Sequence, residues 1–151
     1  MIAEDGFVTF APEARVTHWA EVARDKAALL AQEQMAQDAD HAAQLWHKAR
    51  DMFDGWQVNG SEDARYLGNL NIRKADLDVA RLMSDARQVC FSAGSACASG
   101  SGRPSHVLKA LGLTDAQAKS SIRLGFGRYT SVGQLDEAAA AILAAVKEQG
   151  I

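Results

Sequence analysis

Apolar residues first recur at helical spacing, Trp19, Val22, Ala23 and Leu30 and then Leu45, Ala49, Met52 and Phe53, in a stretch without Gly or Pro. The spacing predicts one long helix over residues 17–53, with Thr17 as its N-cap and a candidate break at 37–40. Ahead of it, Phe7, Val8 and Phe10 form a short apolar run closed by Pro12, so residues 1–16 read as an arm or an edge strand. Gly55 stops the helix, and Trp56, Gln57 and Val58 lead as a short strand into an Asn59-Gly60 turn. The period then changes to two. Leu70 and Ile72 alternate with polar neighbours, residues 76–85 offer a short helix with Leu77, Ala80 and Met83 inward, and 88–92 read as a second strand. In a third strand Ile122, Leu124 and Phe126 share one face, which sends Arg123 to the other. Pro104 suits the first position of a helix reaching Ala110 and closed by Gly112, and Thr114 with Gln117 has capping-box spacing for another. Ser131 and Gln134 repeat that spacing before a final helix striped by Leu135, Ala138, Ala139, Ile142 and Val146, with Gly150 past its end. The sum is an α+β fold: a long N-terminal helix and a small, mostly antiparallel sheet covered by helices.

With 151 residues, 48% of them hydrophobic, one substantial core is expected over residues 17–151. The charges, 16 basic and 19 acidic, are interspersed and sum to -3, which gives no field for nucleic acid or an anionic membrane. No apolar run is long enough to span a bilayer and no basic leader opens the chain, so the expected location is cytoplasmic. Cys90 and Cys97 have neither disulfide-framework nor zinc-type spacing and read as separate thiols.

Chemistry concentrates at few positions. Every side chain from 93 to 102 is Gly, Ala or Ser except Cys97, so this thiol sits on backbone that sterics hardly restrain and has no large neighbour to orient it. Two readings stand: a thiol that delivers or receives a group at more than one place, or a plain surface thiol. Arg123, opposite an apolar face, suits a fork onto a carboxylate or an ordinary sheet salt bridge. His106 follows the small-residue segment and suits proton transfer to Cys97, or is a half-exposed helix residue. His18, His41 and His47 share no metal-ligand spacing, and Cys90 reads as a buried small hydrophobe. The glycines at 94, 100 and 102 do not make a phosphate-loop pattern.

The run SAGSACAS at 92–99, continuing through PSHVL at 104–108, ALG at 110–112, SSIR at 120–123 and GRYT at 127–130, closely resembles the end of cysteine desulfurases of the NifS and IscS type. NLNI at 69–72 and the order of elements after it also resemble that family, and the long helix resembles its domain-connecting helix more loosely. The resemblance covers residues 17–147 and is strongest over 92–130; the segment length around Cys97 resembles the long-loop class. It implies the small domain of a fold-type I, pyridoxal-phosphate-dependent enzyme of the class V aminotransferase family. In that family the loop cysteine takes sulfur from L-cysteine as a persulfide and L-alanine is released. Cys97 matches that nucleophile and Arg123 the arginine that holds the substrate carboxylate.

The family's Schiff-base lysine lies in a Ser/Thr-x-His-Lys setting within a large upstream domain, and none of Lys26, Lys48, Lys74, Lys109, Lys119 or Lys147 has that setting. The expectation is a chain with no cofactor-binding residue or metal site of its own and inactive alone. Its implied partners are a pyridoxal-phosphate-binding large-domain chain, L-cysteine, and a sulfur acceptor such as an iron-sulfur scaffold protein. The competing readings are a non-catalytic sulfur-relay or interaction module, and an inert fragment of a larger desulfurase in which Trp19 and Trp46 are orphaned apolar contacts.

Overall fold

The computed structural model describes residues 12–93 and 104–151. Packing divides the chain between Gln37 and Asp38. The first unit is the opening stretch of helix α1 (Pro12–Met52). From residue 20 to 37 every side chain is exposed except the half-buried Leu30 and Gln34, so Val22, Ala23 and Leu30 of the apolar stripe form no core within this unit. The described part of the helix begins at Pro12, five residues before Thr17. Residues 12–16 are therefore helical and Thr17 is not a cap, while the rest of the expected arm or edge strand, residues 1–11, lies outside the described residues. Residues 37–40 are helical too: they contain no Gly or Pro, and nothing there breaks the ladder.

The second unit holds a four-stranded sheet of β1 (Gln57–Val58), β2 (Asn69–Arg73), β3 (Ser92–Ala93) and β4 (Ser121–Gly125). The strand order is β1-β2-β4-β3 and every pairing is antiparallel. Four helices complete it, α2 (Val79–Asp85), α3 (His106–Ala110), α4 (Asp115–Lys119) and α5 (Val132–Lys147), so the α+β class holds. One face of the sheet is apolar: Leu70 and Ile72 of β2 and Ile122 and Leu124 of β4 are buried. Against it lie Leu45 and Ala49 of α1 and Phe53 just past its end, spaced four apart, with Leu82 of α2 and Leu135, Ala139 and Ile142 of α5. Each large side chain sealed there contributes about 1.5–3 kcal/mol. Both capping boxes form: Thr114 with Gln117 opens α4, and Ser131 with Gln134 opens α5. Gly60 and Gly112 take positive φ of 86°, where a side chain would strain the turn after β1 and the end of the α3 segment.

Four expectations change. Trp46 is buried, its indole packed edge-on against His47 at 5.2 Å, and is not an orphaned contact. Helix α2 starts only at Val79, because Asp78 caps it by accepting from the Arg81 amide; the apolar phase shifts, so Val79 and Leu82 are buried while Ala80 and Met83 face out. Leu77 is buried just ahead of the helix, as expected. Strand β3 is described over Ser92–Ala93, and Gln88, Val89 and Cys90 lie ahead of it, which leaves Cys90 exposed rather than buried.

Candidate functional site

The other face of the sheet is polar. Strand β4 alternates so that Ile122 and Leu124 enter the core and Arg123 stands outside, exposed, as the period of two requires. Its register partners are Asn71 on β2 and Ser92 on β3, whose side chains share that outer face. Arg123 forms no ion pair among the described residues. Its guanidinium is thus held on a central strand, between two small polar neighbours, with its donors available for a planar anion such as a carboxylate.

Next to this row lies a hydrogen-bonded cluster that the sequence reading passed over. Asn59, only 5% exposed, donates through Nδ2 to Asn71 Oδ1 at 2.6 Å and to Ser121 Oγ at 3.0 Å. Ser121 passes its hydroxyl hydrogen to the Gln117 carbonyl at 2.7 Å, and Arg73 donates to Asn59 Oδ1. In the sequence Asn59 reads only as a turn residue. The available signal was the alternation of Asn69 and Asn71 with Leu70 and Ile72, which puts both amides on the face that carries Arg123.

The far end of β4 is also anchored. Arg128 donates from Nε to Asp38 Oδ1 at 2.9 Å, and the His41 Nε2–H donates to the Thr130 carbonyl at 2.8 Å, tying the turn after β4 to α1. Hydrogen bonding from Arg128 holds the Asp38 carboxyl below its ordinary value against the opposing pull of desolvation, and the same bond raises Arg128. Across the molecule Arg65 rests over the Trp46 ring at 5.3 Å, and its partial burial lowers its pKa from the usual guanidinium value.

Cys97 lies outside the described residues; the chain on either side of its segment is described up to Ala93 and from Pro104. His106 is exposed in the first turn of α3, which Ser105 caps by accepting from the Leu108 amide, and no hydrogen bond joins it to Arg123. The structure brings Arg123 together with Asn71 and Ser92.

No protein-family profile matches the chain. It is 45% identical over 94 residues to the mitochondrial cysteine desulfurase of Arabidopsis thaliana, which covers 62% of the chain and 21% of that protein. To cysteine desulfurase IscS of Colwellia psychrerythraea it is 40% identical over 129 residues, 83% of the chain and 32% of the relative. The chain is homologous to part of the NifS/IscS cysteine desulfurases. The fold agrees: the crystal structure of a NifS-like protein from Rickettsia africae superposes with a TM-score of 0.66 at 18% identity, over 78% of this chain and 31% of that one. The chain thus spans about a third or less of the length of the desulfurases it matches.

The desulfurases to which the chain is homologous imply pyridoxal phosphate in that family, and the lining of one groove among the described residues does not fit it. A groove of about 420 Å³ lies between β4 and α5, lined by Cys90, Leu124, Phe126, Gln134, Glu137 and Ile142 among others. No lysine for a Schiff base and no cation for a phosphate line it, and Glu137 would repel that phosphate. It also opens on the Leu124 side of β4, the face opposite Arg123. Of the lysines, Lys48 pairs with Asp136 at 2.9 Å and Lys109 with Asp115, whose carboxyl that bond lowers; Lys26, Lys119 and Lys147 stand exposed on helices. No group of three or more potential metal ligands occurs among the described residues, and no helix there is long and apolar enough to cross a membrane.

Proposed function

We propose that this chain is the small-domain part of a cysteine desulfurase, with residues 17–151 as that domain, and that it acts on L-cysteine bound at a pyridoxal phosphate site on a separate, lysine-bearing large-domain chain. In this reading Arg123 holds the substrate carboxylate with a two-pronged guanidinium fork. Cys97, as thiolate, attacks the substrate sulfur. A sulfur–sulfur bond forms on Cys97 and the carbon–sulfur bond of the substrate breaks, its electron pair and a proton ending on the methyl group of L-alanine. The cofactor on the partner supplies the electron sink for that cleavage. The persulfide is then passed to an acceptor thiol or an iron-sulfur scaffold protein, and His106 serves as a proton donor or acceptor near Cys97.

The observation that carries the reading is the register of β3 on β4. Ser92 pairs with Arg123, and Ala93, the last described residue of β3, stands four residues before Cys97. Four residues span at most about 14 Å, so the covalent tether keeps the thiol within reach of a substrate clamped by Arg123.

The test mixes the purified chain with L-cysteine and pyridoxal phosphate, with and without a large-domain desulfurase chain, and measures alanine release together with persulfide on Cys97. Turnover only in the mixture, abolished by Cys97→Ala, is the expected result. No turnover in either arm, with the chain folded and the partner shown to bind the cofactor, would overturn it. Persulfide loading on the chain without any cofactor-bearing partner would instead identify a sulfur-relay module.

A further inference from the structure

The polar cluster beside Arg123 has a direction built into it, and that direction ends at Asn71. A guanidinium has only donors, so the Arg73 contact must take the oxygen of the Asn59 amide. The Asn59 nitrogen is then left to face Asn71 and Ser121, and Asn71 must offer its oxygen in return, at 2.6 Å. Ser121 cannot reverse the order, because its own hydrogen goes to the Gln117 carbonyl. With its Oδ1 committed, Asn71 keeps both Nδ2 hydrogens as donors, and they have no partner among the described residues. Asn71 is half-buried and sits directly across from Arg123, a pairing that brings the two Cβ atoms to about 4.5–5.5 Å.

We propose that Asn71 is a second carboxylate-binding residue, its Nδ2 amide donating beside the Arg123 guanidinium to the α-carboxylate of a small amino acid. The proposal rests on the reading of Arg123 as the carboxylate clamp and adds a neutral donor whose orientation is set through Asn59 by Arg73. A guanidinium alone attracts any anion. A fixed amide next to it selects a group with two oxygens in one plane and holds that plane at a set angle.

The test uses the 151-residue chain, labelled with nitrogen-15, mixed with the cofactor-bearing large-domain chain and titrated with L-alanine, which carries the carboxylate, and with L-alaninamide, which does not. The side-chain resonances of Asn71 and Arg123 are followed. Expected are parallel shifts of both on one saturation curve with L-alanine, neither shifting with L-alaninamide, and an affinity at Arg123 about tenfold weaker in Asn71→Leu. Asn59→Leu, which releases the orienting contact but keeps the Asn71 donor, is expected to weaken binding by a smaller factor. If Arg123 saturates while Asn71 stays still, or if Asn71→Leu binds L-alanine as the parent does, the proposal falls and the Arg123 reading stands. If neither resonance responds, both fall. The wild-type shifts decide between these results even where a variant does not fold.

Discussion

The two faces of the sheet come from the same strands and are built to opposite rules. On the inner face Leu70, Ile72, Ile122 and Leu124 are buried against three helices, with almost no polar atom to satisfy. On the outer face Asn71, Ser92 and Arg123 form one row across three strands, with Arg123 exposed and unpaired among the described residues. The comparison shows a division of labour at single-residue spacing. Alternate positions of β4 carry stability and candidate chemistry, and the pleat keeps the two apart. Between these extremes lies the Asn59 cluster, polar but buried, which belongs to the outer face by position and to the core by energetics.

The largest expected effect lies on the inner face. Ile122 is fully buried, so Ile122→Ala removes packed methyl groups and leaves a cavity, at a cost of about 2–5 kcal/mol. Chemical denaturation should show the unfolding free energy falling by that amount, through a lower midpoint with an unchanged slope. A loss below about 1 kcal/mol would mean that the inner face is not the core.

Asn59→Leu should have an intermediate effect. The leucine has a similar volume, but Asn71 Oδ1, Ser121 Oγ and the Arg73 guanidinium each lose a partner in a half-buried or buried setting. A cost of about 1–3 kcal/mol follows, because a buried polar group left unpaired loses its solvation without compensation. Asn59→Asp should be milder at neutral pH, since the carboxylate still accepts from Arg73, while its loss of the Nδ2 donor still deprives Asn71 and Ser121. If both variants unfold at the parent midpoint, the cluster is a surface arrangement and the distinction between it and the core disappears.

Much of this division was legible in the sequence, and the part that was not has a physical cause. Period-two alternation on β4 identified both the buried Ile122 and Leu124 and the outward Arg123, and three-residue spacing identified both capping boxes, because these signals are local. The motif from SAGSACAS to GRYT carried the family. What failed was long-range or phase-dependent. A cap at Asp78 instead of a start at Asp76 reversed which side of α2 is buried, exposing Ala80 and Met83. Trp46 looked like an orphan because its cover, including Arg65, comes from a distant part of the chain. The link from Asn59 to Ser121 spans 62 residues and exists only once β1, β2 and β4 have aligned, so no local pattern announces it.

The smallest expected effect on stability is at Arg123, and that smallness is informative. Its side chain is exposed, forms no ion pair among the described residues, and stands where strand pairing is made by the backbone, so Arg123→Ala removes little that the fold uses. Stability should stay within about 0.5 kcal/mol of the parent. A residue kept for packing or a hidden salt bridge would behave otherwise, and a loss above about 1 kcal/mol would make Arg123 a structural sheet residue and remove the basis for a carboxylate clamp. An unchanged melting curve together with lost response to L-alanine separates the two roles on one strand: Ile122 would carry stability without binding, and its next neighbour binding without stability. That separation is what a small domain needs if it is to present a charged, desolvation-prone group to a substrate without compromising the core on which the group is mounted.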